Sequence, residues 1–470
     1  EAHRHTVQLR LATQPKNVTG MKTNLLLALA GFAVYFGYKV HQLLQPPPLP
    51  HLEDTWWGPG TPKPKPNWTL ELEPFNITVS ERDLKELKWR LQYHRNITPP
   101  LEGVQHEYGF NTNLLKEVVQ FWRTEYNWTE RELYFNKNPQ YLLKVQGLDI
   151  HVVHVNGGQY KGYKKLPLLL LHGWPGSVRE FYDIIPKLAE PQKGRKYMFE
   201  IIAPHLPGFG FSQGAVRPGL GAAQMAVLFK NLMHDIGFKE FYVQGGDFGA
   251  IILQHMAVLF PESVLGFHSN MCTIYTPKSY LRTLLGTVFP SWYVKPEHYD
   301  RVYPLSEQFY LKLRETGYLH LQSTKPDTLG VALNDSPIGM AAYILEKFIT
   351  GTNRTWLSQD DGGRLKDTYT YTALIDNIMF YWATSSATTS FRLYAETFNK
   401  KHMGLGILRH PVEVPTACAR FSNDFTQQTD SCQRSTPTSC SSRTTKGVIS
   451  RPCRNPTFSR TTSTTPWRSS

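Results

Sequence analysis

Cysteine is scarce in this sequence, which has five cysteines in 470 residues. Only Cys272 and Cys418 precede residue 425, and the other three follow it. Neither early cysteine belongs to a cluster with the spacing of a zinc site, and the spacing predicts no disulfide framework. We therefore expect no metal and no other cofactor, and the pattern is compatible with a reducing compartment.

The sequence also lacks the pattern of a nucleic-acid-binding protein. Its net charge is +13, but residues 425–470 contribute seven Lys or Arg against one acid, Asp430, which leaves about +7 for the rest (13 − 6). There is no RNA- or DNA-binding motif and no basic stripe with interleaved aromatic residues. We interpret the excess as a solvated face, favourable beside anionic lipid, and we expect no nucleic-acid partner.

Long apolar runs are few. Near the N-terminus, residues 25–38 form an uncharged apolar stretch of 14 residues, which is short compared with the roughly 20 residues of a membrane span. No small-x-small cleavage site precedes the Pro-rich run at 46–50, so residues 21–44 are predicted to be a retained membrane anchor that contacts lipid. Met21 resembles a natural start, and residues 1–20 are predicted to be a non-native extension.

The most informative residues that are present form the segment Val-Gln-Gly-Gly-Asp-Phe-Gly-Ala at 243–250. Apolar residues precede it and an amphipathic stretch follows it, which predicts a strand, a sharp turn and a helix with Asp247 at the turn. A carboxylate is already ionised near neutral pH, so Asp247 can displace an oxygen or a halide from an sp³ carbon and form an alkyl ester. Taken alone, the segment fits a surface turn equally well, because Gly-Asp pairs are common in turns.

Two further segments, 168–177 and 201–212, each read as a buried strand followed by a Gly-rich loop. The first contains His-Gly-Trp-Pro-Gly-Ser and the second contains Pro-Gly-Phe-Gly-Phe-Ser. The backbone amides of Trp174, in the first loop, and of Phe248, after the acid, are candidates for an oxyanion hole. Three strand-end motifs in this order are far more specific than any one of them.

Together these motifs resemble those of the epoxide hydrolases of the α/β-hydrolase superfamily, and most closely the membrane-bound microsomal type. The resemblance covers residues 21–424 and includes Trp-Trp-Gly-Pro-Gly at 56–60, Tyr-Gly-Phe-Asn at 108–111 and Lys-Pro-Asp-Thr at 325–328. It implies the α/β class: an α/β-hydrolase fold with a mostly parallel sheet, an inserted helical cap domain and an N-terminal membrane anchor.

The resemblance also implies a chemistry for particular residues. Asp247 is expected to open an epoxide, and Tyr318 and Tyr394, from the cap, are expected to bind and protonate its oxygen. Read without the family, either tyrosine fits a core aromatic with a satisfied hydroxyl. The expected partners are a small apolar epoxide, water and membrane lipid. Xenobiotic arene and alkene oxides are favoured over a juvenile-hormone-type epoxide, and the expected location is the endoplasmic reticulum membrane, with the catalytic domain in the cytosol.

The family also requires an acid after a late strand and a histidine near the C-terminus, which together activate water. Residues 412–416 read as the late strand, and Asp424 falls where the acid belongs, with Glu413 and Glu396 as less favoured substitutes. No histidine follows His410. The base is therefore absent from the place where this order of residues needs it.

Residues 425–470 have the composition of a low-complexity segment, with 21 Ser or Thr in 46 residues. They show no strand or helix period, and we expect them to be disordered. Codons compatible with residues 447–456, read one base out of step, permit Gly-His-Phe-Ala-Ala-Leu-Gln-Glu-Pro, which resembles the missing histidine motif. We hypothesise that a frameshift begins between residues 421 and 431, and the nucleotide sequence of the transcript would test this.

We predict five segments after the anchor. They are a wrapping segment and linker at 45–149, the first part of the core at 150–270, a helical cap at 271–400, a late strand and acid loop at 401–424, and the aberrant tail at 425–470. Core strands are expected near 150–155, 167–171, 199–203 and 241–244, and a helix is expected to begin after Ser80.

Three functions remain open. The first is an epoxide hydrolase. The second is a haloalkane dehalogenase, which needs halide donors that Phe248 cannot supply. The third is a catalytically dead, membrane-anchored pseudoenzyme that traps an epoxide on Asp247.

Overall fold

The structure is a computed structural model that describes residues 18–62, 72–273, 276–294, 296–421 and 441–445. The chain divides into two units, residues 1–46 and residues 47–470. The first contains helix α1, Val18–Leu44, whose apolar side chains, such as Leu27, Phe32 and Phe36, are exposed. Among the described residues, the structure has no helix long and apolar enough to span a membrane.

The second unit is built on one sheet, with nine strands in the described part of the chain. In chain order these are β1 Glu73–Pro74, β2 Gln140–Val145, β3 Leu148–Val155, β4 Lys164–Leu171, β5 Tyr197–Pro204, β6 Phe241–Gly245, β7 Val264–Ser269, β8 Thr416–Phe421 and β9 Ser441–Thr445. Their order across the sheet is β1-β2-β3-β5-β4-β6-β7-β8-β9. The pairings from β5 to β9 are parallel and those among β1, β2, β3 and β5 are antiparallel, so the prediction of a mostly parallel sheet is confirmed.

The helices alternate with the central strands and then continue without strands. Those before β7 are α2 Glu81–Gln92, α3 Thr112–Thr124, α4 Trp128–Phe135, α5 Ile185–Ala189, α6 Ala222–Asp235 and α7 Asp247–Leu259. Those between β7 and β8 are α8 Pro277–Leu285, α9 Leu305–Glu315, α10 Gly317–Thr324, α11 Pro326–Asp335, α12 Pro337–Thr352, α13 Leu365–Thr368, α14 Tyr371–Trp382, α15 Ala387–Thr397 and α16 Lys400–Met403. The described residues between β7 and β8 are therefore helical or irregular, and we refer to them as the helical insertion.

Burial explains why the central strands form where the sequence predicts them. The last four residues of β4 are buried, as are most residues of β5, because helices cover both faces of a parallel sheet. The four predicted core strands match β3, β4, β5 and β6 to within three residues at each end. The predicted start of α2 is also confirmed, since the Ser80 hydroxyl oxygen accepts a 3.1 Å hydrogen bond from the amide of Asp83.

The late strand differs from its prediction. The sequence favours residues 412–416, whereas β8 begins at Thr416. Pro415 has no amide hydrogen to give to the ladder, although its carbonyl accepts a 2.9 Å hydrogen bond from Phe267. Segment 425–470 also contains β9, which the sequence analysis did not predict. It pairs in parallel with β8, so β9 forms this edge of the sheet in the described part of the chain.

The sequence analysis expected no disulfide framework, but the structure contains one disulfide bond in its described part. Cys272 and Cys418 are joined, with 6.0 Å between their Cα atoms. The two are 146 residues apart in sequence, but β7 and β8 are neighbours and Ser269 pairs with Cys418. The bond therefore joins the start of the helical insertion to the strand that follows it, a proximity that spacing alone does not reveal.

Candidate active site

Asp247 occupies the turn between β6 and α7. Its φ is +48°, a left-handed conformation that non-glycine residues rarely adopt. Such strain persists only where the surroundings impose it, and it is typical of functional sites. Here the surroundings are tight at Gly249, two residues after Asp247. A Cβ at that position would lie 2.0 Å from the carbonyl oxygen of Leu171 in β4. The turn thus lies directly against the end of the neighbouring strand.

The loop after β4 binds the same carboxylate. The amide of Trp174 donates a 3.0 Å hydrogen bond to Asp247 Oδ1. Burial raises the pKa of Asp247, while hydrogen bonds from the amides of Trp174 and Phe248 lower it. The structure therefore brings both amides predicted for an oxyanion hole to one carboxyl group. An oxygen held in this way is already placed to carry negative charge if the carboxyl is later attacked as an ester.

The two predicted tyrosines come from different helices of the insertion. Tyr318 lies in α10 and Tyr394 in α15, and their hydroxyls share a hydrogen bond. The Tyr318 ring stacks on Trp174 at 5.1 Å between centroids, and the Tyr394 ring packs edge-on against Phe248 at 4.6 Å. Burial is the main cause that raises the pKa of both phenols, and the negative charge of Asp247 raises the pKa of each further. Both therefore stay protonated at neutral pH and can donate a proton.

A cavity of about 270 Å³ connects these groups. Asp247, Trp174, Tyr318 and Tyr394 all line it, and so do apolar side chains from α7 and from the insertion: Phe248, Ile251, Met271, Leu319, Phe348 and Phe398. A cavity of this kind fits a small apolar molecule with one polar atom near the tyrosines. The structure thus brings these four groups, which the sequence predicts for the site, to one cavity, and their roles stay predictions.

In its described part, the structure does not place at this cavity the acid and the histidine that the family uses to activate water. Asp424 lies outside the described residues, so its role stays a prediction. The two substitutes are not supported, since Glu413 is exposed and neither it nor Glu396 lines the cavity. Within the described ranges no histidine lines the cavity, and no cluster of His, Cys, Asp or Glu could hold a metal ion.

Sequence reasoning missed two acidic residues of this cavity, Glu180 and Glu315, of which Glu180 interacts with Asp247. Glu180 lies in the loop after β4, eight positions past His172, and lines the cavity wall. The amide of Gly173 donates a hydrogen bond to its carboxyl, whose pKa is raised well above the usual value by burial and then by Asp247. The sequence offered one signal for Glu180, namely that an acid lies between two apolar residues, Val178 and Phe181, which are both buried.

The fold and this site define an α/β-hydrolase with an aspartate in the nucleophile position. Residues 72–181 match the family described as epoxide hydrolase N terminus, and residues 167–292 match the alpha/beta hydrolase fold. The chain is 50% identical to juvenile hormone epoxide hydrolase 1 of Ctenocephalides felis, over 87% of this chain and 86% of that protein. It is 41% identical to epoxide hydrolase 1 of Oryctolagus cuniculus, over 84% of this chain and 87% of that protein. The chain therefore belongs to the epoxide hydrolase family.

A solved structure supports the same assignment. The crystal structure of juvenile hormone epoxide hydrolase from the silkworm Bombyx mori matches with a TM-score of 0.81 and 46% identity. The match covers 84% of this chain and 93% of the silkworm chain. A match over nearly the whole of a solved epoxide hydrolase shows that the sheet and the helical insertion share its architecture.

Proposed function

We propose that this chain hydrolyses an apolar epoxide to a vicinal diol through an ester on Asp247. The observation that carries the proposal is the carboxylate of Asp247, held on a backbone with φ +48°, in the same cavity as Tyr318 and Tyr394. The carboxylate attacks an epoxide carbon, the carbon–oxygen bond breaks, and a tyrosine gives its proton to the departing oxygen. The product of this step is a hydroxyalkyl ester.

Water then attacks the ester carbonyl carbon. The amides of Trp174 and Phe248 stabilise the negative charge that develops on the carbonyl oxygen. Collapse of this intermediate releases the diol and restores the carboxylate, which now contains one oxygen from water. The predicted role of Asp424, which lies outside the described residues, belongs to this step, where the family pairs the acid with a histidine that this sequence lacks after His410.

A single-turnover experiment in H₂¹⁸O tests this proposal. Excess enzyme is mixed with an apolar epoxide, and the peptide that contains Asp247 is analysed by mass spectrometry. We expect a transient adduct of the epoxide's mass and then ¹⁸O in the Asp247 carboxyl. The variant Asp247→Asn should form no adduct at that position. Diol formation with ¹⁸O only in the diol would contradict the ester mechanism.

The substrate class that we propose is an apolar aliphatic epoxide of the juvenile-hormone type. Its support comes from the names of the flea and silkworm relatives, together with the apolar wall around Tyr318. The sequence analysis favoured xenobiotic arene and alkene oxides, and these remain the alternative. Comparing kcat/KM for a juvenile-hormone epoxide with that for an arene oxide of similar hydrophobicity distinguishes them. A tenfold preference for the arene oxide would favour the alternative.

Two other functions have narrower support. The indole Nε1 of Trp174 is buried without a hydrogen-bond acceptor in the described ranges, as a halide donor would be. One donor is fewer than a halide site needs, and chloride release from a chloroalkane would test for dehalogenation. A catalytically dead pseudoenzyme would form the Asp247 adduct once and release no diol.

We also propose that α1 holds the protein at the endoplasmic reticulum membrane, with residues 47–470 in the cytosol. Its support is the exposed apolar surface of α1. The sequons at Asn76, Asn96 and Asn127 are exposed and would accept glycans in the lumen. We expect the expressed protein to sediment with microsomes and to show no shift in mass after glycosidase treatment. A shift would place this unit in the lumen.

A further inference from the structure

Two consecutive amides of the loop after β4 bind two different carboxyl groups. The amide of Gly173 donates to Glu180, and the amide of Trp174 donates to Asp247 Oδ1. Both acids line the same cavity. Because neighbouring amides in one loop are only a few ångströms apart, the loop fixes the two carboxyl groups beside each other.

Glu180 has one oxygen that the protein leaves unbound. Oε1 is shielded from solvent and has no hydrogen-bond partner among the described residues. Buried polar atoms are seldom left without a partner, and exceptions mark sites where water or a ligand binds. The wall around it is tight, since a Cβ at Gly176 would lie 2.9 Å from Oε1. The backbone carbonyl of Gly176 is itself held by the hydroxyl of Tyr381 at 2.6 Å.

We propose that Glu180 holds the hydrolytic water against the Asp247 ester and takes up the negative charge that Asp247 loses on alkylation. This inference rests on the proposed function, because it requires an ester on Asp247. Glu180 would then act in the half of the reaction for which the described residues contain no histidine at the cavity.

The charge balance of the cycle favours this role. Asp247 attacks as a carboxylate, and burial together with that negative charge raises the pKa of Glu180 well above its usual value, which favours the protonated form of Glu180. When Asp247 becomes a neutral ester, the charge that repelled a second carboxylate disappears, and the pKa of Glu180 falls. Ionisation of Glu180 is therefore more favourable after the first step than before it.

The proton transfers close without an external acid or base. In the first step a tyrosine gives its proton to the epoxide oxygen and becomes a tyrosinate. Glu180 then supplies a proton to the tyrosinate, through water in the cavity, and becomes a carboxylate. In the second step Glu180 takes a proton from the attacking water while the water oxygen bonds to the ester carbon. The departing alkoxide takes the remaining proton of that water oxygen, so Asp247 is again a carboxylate and Glu180 again an acid.

The charged groups that face Glu180 are few. Asp247 acts on it directly, and the phenol of Tyr381 lies near both acids. Lys312, Lys347 and Glu315 line the same cavity, but they are not among the groups that shift the pKa of Glu180. The ionisation of Glu180 should therefore follow the state of Asp247 more closely than that of any other group.

The test separates the two half-reactions of the full chain. A rapid-quench experiment with excess enzyme and an apolar epoxide measures the formation of the Asp247 adduct and its loss as diol. Glu180→Gln keeps the side chain's size and its hydrogen bond from Gly173. We expect this variant to form the adduct within threefold of the parent rate and to hydrolyse it at least about 100-fold more slowly, as expected for the loss of a general base. Glu190→Gln, at an exposed position outside the cavity, should change neither rate.

A pH profile distinguishes this role from a merely structural one. The parent's rate of adduct hydrolysis should rise with pH until Glu180 is ionised, and Glu180→Gln should lose this rise. Glu180→Asp, which keeps an ionisable group, should recover part of it. The inference is overturned if Glu180→Gln hydrolyses the adduct as fast as the parent, or if the parent forms the adduct and never releases diol. If the parent forms no adduct at Asp247, the proposed function fails first.

Discussion

The guanidinium of Arg131 binds both oxygens of the Asp376 carboxylate, at 2.8 Å through Nε and 2.7 Å through Nη2. Asp376 is fully buried in α14 of the insertion, and Arg131 belongs to α4, between β1 and β2 in the chain. Arg179, in the loop after β4, donates to the same carboxylate at 3.0 Å, and so does the hydroxyl of Tyr126. One carboxylate therefore fastens the insertion to both the N-terminal segment and the loop that carries Trp174.

Replacement of Asp376 by Ala should destabilise the protein strongly. It would remove the anion shared by two largely buried guanidinium groups, and among the described residues only Arg179 would keep a second acid, the exposed Asp183 at 3.4 Å. Such a loss costs about 3–5 kcal/mol. The measurement is the free energy of unfolding in urea. The control is Asp327→Ala, which breaks an exposed pair with Arg392 and should cost less than about 1 kcal/mol. Equal losses in the two variants would contradict the role given to Asp376.

Substitution of Gly249 tests the close approach behind the Asp247 turn. A methyl group there would meet the carbonyl of Leu171 at 2.0 Å, so β4 or α7 must move. We expect Gly249→Ala to lose at least about 100-fold in the rate of adduct formation, because small misplacement of a nucleophile is costly. Gly317→Ala, at a position with open space within 4 Å, should leave that rate within threefold. A fully active Gly249→Ala variant would show that the turn tolerates displacement.

The sequence revealed those parts of the site that local chemistry encodes. Asp247 could be located because adjacent residues in the sequence predict a glycine-rich turn between a strand and a helix. The tyrosines were located by resemblance, since nothing in their own segments separates them from core aromatics. Asp376 could not be predicted, because its partner Arg131 lies 245 positions away and only the fold brings them together. Glu180 was missed for the same reason, because its proposed role depends on its proximity to Asp247, which lies in a different turn of the fold.

The disulfide between Cys272 and Cys418 should stabilise the oxidised protein. It closes a loop of 146 residues, and the entropy of such a loop corresponds to about 5 kcal/mol at most. We expect Cys272→Ser to lower the Tm measured without reductant, and dithiothreitol to lower the Tm of the parent but not of the variant. If dithiothreitol changes neither Tm, the bond does not form in solution.

Buried histidines should make the protein sensitive to mild acid. Burial lowers the pKa of His151 to about 3 and that of His172 to about 4, and it lowers that of His205 well below its usual value. The unfolded chain binds a proton at each of these sites near pH 6.5, whereas the folded chain does not. The stability they contribute is therefore present above pH 6.5 and is lost as the pH falls towards 4, by about 1.4 kcal/mol per histidine and pH unit. Calorimetric unfolding at pH 5 in two buffers of different ionisation enthalpy should show proton uptake, and unfolding without uptake would exclude this linkage.

The tyrosine pair should control the first half of the reaction and not the second. Tyr318→Phe and Tyr394→Phe each remove a proton donor from the epoxide oxygen, so adduct formation should slow by about 100-fold or more. Tyr343→Phe is the control, because its ring contacts Trp174 but does not line the cavity. The raised pKa of both phenols predicts that the parent's rate of adduct formation stays constant as the pH rises past 10. The free energy of unfolding should fall over the same range, because tyrosines ionise in the unfolded chain before they do in the folded one. A rate of adduct formation that declines already near pH 10 would mean that the phenols are more exposed in solution than the structure places them.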